Sequence, residues 1–277
     1  MRQPRYALAA YDPEALPYDE IWALCADAEH LFADQLPDGP SIPEGREAPP
    51  DALAEPPVRL LGCAPRGALK DALESGKGEL GHGRVLRLCR QGRPLQHAVE
   101  GEVVAWIPSA RGRGLVDLAL DPWTVRPPRS AGEVWDAWWA GRPARSNLWA
   151  AHGIDADGRS HWLSVARERK GRRGGPDAEP GATYHLDGRH ITDEPAFYCA
   201  LGEAVNGPGG YVGRSADTLH DCLRGDLGTP PPLTLVWHDP HTARSCLGVT
   251  PRTHGAPPSF EELLALLTRM DIEVVLA

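Results

Sequence analysis

Residues 209–223 read GGYVGRSADTLHDCL, and the interpretation of the rest of the chain works outward from them. Gly209, Gly210 and Gly213 bracket Tyr211 in a loop that few other residue types could follow. Ser215 has the chemistry of a helix N-cap, and the helix it opens should run to about Arg224, with Gly225 as its stop. At about 100° per residue, Asp217 and Asp221 share one face of that helix, while Leu219, Cys222 and Leu223 gather on the other. A like-charge pair at this spacing destabilises a helix by roughly 0.2–0.5 kcal/mol. The pair fits two descriptions: an ordinary solvated acidic face, or a rigid anionic patch that meets a cationic partner, with Tyr211 as an aromatic anchor.

The stretches that follow favour the second description. LTLVW (233–237) reads as a buried strand, Ser259–Met270 as an amphipathic helix and DIEVVL (271–276) as a closing strand. In this order the segments resemble the barstar family, protein inhibitors of barnase-type ribonucleases. The resemblance is carried by Tyr211, Gly213, Asp217, Leu219, Asp221, Cys222, Leu223, Gly225 and Trp237, by the closing strand, and by YHLDG (184–188) as a first strand and turn. It covers Ala182–Ala277. His220 stands where the family pattern has a tryptophan, Ser215 replaces an asparagine, and no acid occurs at Ala265 or Leu266, where the last helix would contribute a glutamate.

The resemblance implies a three-stranded parallel sheet (Ala182–Leu186, Leu233–Trp237, Asp271–Leu276) covered by helices, an α/β module consistent with strands joined through helices. It also implies a nuclease-binding surface of Tyr211, Gly213, Asp217, His220 and Asp221, with the backbone at Gly210 contributing. The implied partner is a basic, secreted-type ribonuclease. The implied action is that of a plug, without a cofactor, a metal or catalytic residues.

Charge agrees with such a partner. The 277-residue chain carries a net charge of −9, and from Pro180 onward there are 12 Asp/Glu against 6 Lys/Arg. An acidic module argues against direct nucleic-acid binding and for electrostatic attraction of a basic protein. The six cysteines (25, 63, 89, 199, 222, 246) are widely spaced and contain no CxxC pair, as expected of free thiols in a reducing cytoplasm. The first twenty residues lack the apolar core of a signal peptide, and no later apolar run is long enough to span a bilayer, so no membrane role is expected.

The chain length accommodates two domains. Residues 1–166 are expected to form an α+β domain with an antiparallel sheet, 167–181 (RERKGRRGGPDAEPG) a basic Gly/Pro linker, and 182–277 a module that folds alone. Within the first domain, strands are expected at Arg5–Ala10, Val58–Cys63, Val85–Cys89, Glu102–Ile107, Leu115–Leu120 and His161–Ala166. Helices are expected at Tyr18–Phe32, after Pro65, and at Ala131–Ala140, with a loop over Pro37–Pro57. Eight of the nine tryptophans precede residue 163 and fit either a packed core or exposed stacking platforms.

The sequence contains no Walker-type glycine loop, no GxSxG and no HExxH, so an enzyme is not expected. His238 and His241 in WHDPHTA have the residue types of a metal pair, but they follow a strand end and are read as a loop there, with no metal site expected. The expected function is inhibition of a barnase-type ribonuclease. The alternative is an N-terminal ligand-binding or enzymatic domain for which the acidic module serves as an interaction or targeting scaffold.

Overall fold

The computed structural model describes residues 3–11, 20–33, 55–76, 80–170, 181–224, 231–249 and 257–277. The chain divides into two compact units, Met1–Trp135 and Asp136–Ala277.

The first unit is an antiparallel barrel. Its strands are β1 (Tyr6–Ala10), β2 (Ile21–Cys25), β3 (Asp27–Glu29), β4 (Val58–Pro65), β5 (His82–Leu88), β6 (Pro94–Pro108) and β7 (Val116–Pro122). Six of them run in the order β2-β1-β5-β6-β7-β4, and a pairing of β4 back onto β2 closes the ring. Strand β3 continues β2 along the same neighbour, with Ala28 opposite Leu60, while Ala23 and Leu24 of β2 pair with Pro65 and Ala64. Ala7 and Ala9 of β1 pack with Leu86 and Leu88 of β5. On the other face of β1, Leu8 pairs with Ala23 of β2 and Val85 of β5, all three fully buried. A short helix α1 (Gly67–Glu74) follows β4, and α2 (Ser130–Ala137) follows β7. Trp135 of α2 is buried, donates from Nε1 to Gln96 Oε1 of β6 at 3.0 Å, and packs 5.5 Å from Phe32.

The helix expected over Tyr18–Phe32 is instead strands β2 and β3 where the structure describes it. Ala23 and Cys25 are fully buried and Ile21, Trp22 and Leu24 only partly so. Small residues point into the barrel on alternate positions, so the two-residue period prevails over the helical one. Most of the expected Pro37–Pro57 loop and of the 167–181 linker lies outside the described residues.

The second unit begins within the last turn of α2. Residues 136–166, assigned to the first domain on sequence, belong here, so the division falls before residue 166. The stretch expected as a strand at His161–Ala166 lies within helix α3 (Ala156–Lys170). Trp162, Leu163, Val165 and Ala166 are buried on it, a helical spacing of i, i+1, i+3 and i+4, with Gly158 buried one turn earlier. Beyond it come β8 (Thr183–Asp187), α4 (Glu194–Asn206), α5 (Ala216–Arg224), β9 (Leu233–His238), α6 (His241–Cys246), α7 (Phe260–Arg269) and β10 (Ile272–Leu276). The three strands form a parallel sheet in the order β10-β9-β8, with Leu235 opposite both Val274 and Tyr184.

One face of the sheet carries the core. Trp237 of β9 is fully buried between Phe197 of α4 and Phe260 of α7, at ring-centre distances of 5.6 and 5.0 Å. Helix α4 is buried at every position from Ala196 to Glu203. A helix against one sheet face normally keeps a solvent side. Here α3 covers the second side, and Arg159 of α3 binds Asp193 from Nε at 3.1 and 3.2 Å. Asp193 also caps α4, accepting from Ala196 N at 2.8 Å. Among the described residues, no helix is long and apolar enough to cross a membrane.

Candidate functional site

The acidic helix α5 is held at its first turn by a reciprocal hydrogen-bonded cap. Thr218 N donates to Ser215 Oγ at 3.3 Å, and Thr218 Oγ1 accepts from Arg214 N and Ser215 N at 2.8 and 2.9 Å. Ser215 is thus the N-cap, and threonine takes the place of the glutamate usual three residues later. Leu219, Cys222 and Leu223 are buried, whereas Asp217 and Asp221 are exposed. Asp217, in the first turn, sits where the helix dipole favours negative charge. The Asp221 side chain is 83% exposed, and its Oδ1 lies 3.8 Å from Nδ1 of the adjacent His220. The structure therefore brings Asp217, His220 and Asp221 to one accessible surface on a helix whose other side is core.

Tyr211 and Gly213 are placed differently from the expectation. Tyr211 is only 3% exposed, so in this structure its ring is not a surface anchor. Burial also pushes its phenol above the ordinary range. Its carbonyl accepts from Asn206 Nδ2 at 2.9 Å, and Trp138, Arg142 and Ala166 line the small space beside it. Gly213 is buried too, with φ of 131°, and a Cβ there would lie 2.6 Å from Leu219 N. The loop backbone rests directly on the first turn of α5, which is why the position needs glycine. The loop holds the acidic helix and contributes little accessible surface of its own. Gly210 is buried with it.

Beneath the loop lies a buried acid that the sequence reading did not single out. Glu203 of α4 accepts from Gly209 N at 3.0 Å through Oε1, and from Asn147 N and Trp149 Nε1 at 2.8 and 3.1 Å through Oε2. Burial raises its pKa, and these hydrogen bonds pull it partly back. Nothing in the surrounding ALGEAVN stretch announces this role. Arg142 completes the arrangement, donating to the carbonyls of Pro208, Asn206 and Gly207 at 2.6, 2.6 and 3.2 Å.

Beside the start of α5 runs a groove of about 460 Å³. Ala216, Leu263, Ala265 and Leu266 line it, with Glu194 and Glu262 also on its walls. The two positions where the family pattern would place an acid therefore present apolar surface. His238 does not meet His241: it stacks on His185 of the neighbouring strand, with Nε2 2.9 Å from Nδ1, while His241 starts α6. Among the described residues no three His, Cys, Asp or Glu side chains gather as a metal site would require. Asp187, at the end of β8, binds Arg189 and Asn147 and is held far below the usual carboxylate range by the Arg189 hydrogen bonds.

Comparison with protein families agrees with the second unit alone. Residues 182–272 match a family described as Barstar (barnase inhibitor). The match takes in β8, α4, the glycine loop, α5, β9 and α7 and ends at the first residue of β10. The barrel and residues 136–170 lie outside it. No match was found among curated proteins.

Proposed function

We propose that this protein inhibits a basic, barnase-type ribonuclease by docking the acidic face of α5 into the nuclease's substrate-phosphate site. The observation that carries this reading is the exposed pair Asp217 and Asp221 on a capped helix within the stretch that matches the barnase-inhibitor family. The carboxylates would pair with the Arg, Lys and His side chains that such an enzyme aims at phosphate. His220, half-exposed between them, adds a polar or stacking contact. Rigidity matters here, because a carboxylate already held in place loses little freedom on binding. In this reading the protein acts stoichiometrically, is not itself an enzyme, and works in the cytoplasm, where it protects against the nuclease.

The test is inhibition of a purified barnase-type ribonuclease by the full chain, with Asp217→Ala and Asp221→Ala alongside. Truncating one partner of a buried interfacial charge pair costs about 2–5 kcal/mol. Each variant should therefore weaken inhibition by at least about thirtyfold, while the melting temperature of Asp221→Ala holds or rises as the i, i+4 repulsion is relieved. Intact inhibition in both variants would place the interface elsewhere.

A second reading makes the barrel the working part and the α/β unit its interaction scaffold. It is favoured by the exposed Trp123, which meets Tyr11 and His82 edge-on at 5.5 and 5.0 Å, with the Arg84 guanidinium 5.4 Å above the Tyr11 ring. Such an exposed aromatic surface suits a planar ligand. This reading prevails if the full chain binds no barnase-type ribonuclease.

A further inference from the structure

We infer that residues 136–170, which lie outside the family match, belong to the recognition module as a strap: through Arg142 they fix the Gly207–Gly213 loop and, through the loop, set how α5 presents its acidic face. The inference rests on the proposed reading of α5 as the nuclease-binding surface.

A glycine-rich loop has more backbone freedom to lose than any other, so it holds one conformation only where its polar groups and neighbours specify it. The strap supplies three sets of contacts that do so here. The Arg142 guanidinium occupies three successive carbonyls, Asn206, Gly207 and Pro208, at the C-terminal end of α4. Carbonyls at a helix end lack intrahelical partners, and a cation there also complements the helix dipole. Trp138 and Pro143 press on Gly209: a Cβ at that position would lie 2.8 Å from Pro143 Cδ and 3.0 Å from the Trp138 ring. Asn147 N and Trp149 Nε1 occupy Oε2 of Glu203, leaving Oε1 for Gly209 N. Trp138 itself is anchored edge-on against Trp162 of α3, ring centres 5.5 Å apart.

The constraint passes on to α5. Asn206 Nδ2 holds the Tyr211 carbonyl at 2.9 Å, and the Gly213 backbone lies against Leu219 and Thr218. Thr218 is the residue whose hydroxyl closes the α5 cap, and Asp217 immediately precedes it. A loop released by the strap would free the first turn of the helix and with it the direction of the first carboxylate. Arg142 is therefore a positioning residue that need not touch the partner.

The experiment uses the full chain with Arg142→Ala and Arg142→Lys, and Asp221→Ala as the contrast. Two quantities are read: amide hydrogen exchange over residues 209–219 in the free protein, and dissociation from an immobilised barnase-type ribonuclease. Arg142→Ala should accelerate exchange in the loop at least tenfold and dissociation about tenfold. Its association rate should keep the wild-type salt dependence, because no acidic charge has been removed. Arg142→Lys retains a donor and should give intermediate values of both, which keeps the test independent of how well the alanine variant folds. Asp221→Ala should speed dissociation and leave loop exchange unchanged. Faster exchange with unaltered dissociation, or no change in either, overturns the inference. If the wild-type chain fails to bind the nuclease, the functional reading fails. Exchange over Ala216–Leu219 then decides the inference by itself, since wild-type rates there in Arg142→Ala would refute it.

Discussion

Asp193 offers a quantitative test of whether α3 and α4 form one energetic unit. Its carboxylate does two separable things. Oδ1 caps α4 by accepting from Ala196 N at 2.8 Å, and both oxygens take the Arg159 Nε at 3.1–3.2 Å, with NH2 of the same guanidinium on Oδ2. The side chains of Arg159 and Asp193 are 14% and 20% exposed, so solvent screens the pair only weakly. Loss of an N-cap costs about 1 kcal/mol. Hydrogen bonds to a charged group contribute roughly 1.5–3 kcal/mol, and Arg159 would keep only its bond to the Ile154 carbonyl at 2.6 Å. Asp193→Ala should therefore destabilise α4 by about 2.5–4 kcal/mol. Asp193→Asn, which preserves the cap acceptor, should lose about half of that. A double-mutant cycle with Arg159→Ala isolates the pair, with an expected coupling of about 1.5–3 kcal/mol. Native-state hydrogen exchange at the α4 amides is the suitable assay, because it reports this helix without interference from the barrel. A coupling below about 0.5 kcal/mol, or Asp193→Ala no worse than the loss of a cap, would refute the claim that the strap is energetically joined to the sheet unit.

Other expectations concern the helix, the pH profile and the kinetics. Leu219→Ala should destabilise the second unit by roughly 2–5 kcal/mol by opening a core cavity, seen as a fall in melting temperature. Burial lowers the pKa of His161 from 6.5 to about 4. Its neutral form therefore contributes stability that is complete above pH 6.5 and is lost as the pH falls toward 4, about 3 kcal/mol in all at 1.36 kcal/mol per pH unit. Urea unfolding of His161→Phe between pH 4 and 7 should show a correspondingly flatter pH dependence than wild type. Association with a basic nuclease should slow steeply with salt while dissociation changes little. Stopped-flow association rates that stay flat from low to high ionic strength would count against an acidic docking face.

The parts of the second unit that could be read in sequence are those whose signals are local. Ser215 before ADTLHDCL specifies a capped amphipathic helix, and the alternating or continuous apolar runs at 233–237 and 272–276 specify strands in a sheet. Where the signal is tertiary the reading failed. Ile21–Cys25 fits a helix or a strand, and only the barrel, which buries Ala23 and Cys25 beside Leu8 and Tyr6 of β1, selects the strand. His161–Ala166 contains the β-branched Val165 and an aromatic residue, yet packing against α4 makes it helical. The basic, Gly- and Pro-rich run at 167–181 resembles a domain boundary, but its first four residues belong to α3 and the unit boundary falls at Trp135, because Trp138, Trp149 and Trp162 are buried within the second unit. Tyr211 was placed at the surface for the same reason: a tyrosine beside an acidic helix gives no sign that residues 138–166 will cover it.

The burial of α4 on every side has a consequence for how the protein tolerates substitution. A helix on a sheet normally accepts polar replacements along its outer stripe, so variant effects rise and fall every three to four residues. From Ala196 to Glu203 no such stripe exists, because residue after residue is buried and the one carboxylate among them is fully engaged. A complete substitution scan of the intact chain should show these eight positions as an unbroken intolerant block. The helical rhythm should resume only from Ala204, where partial exposure returns.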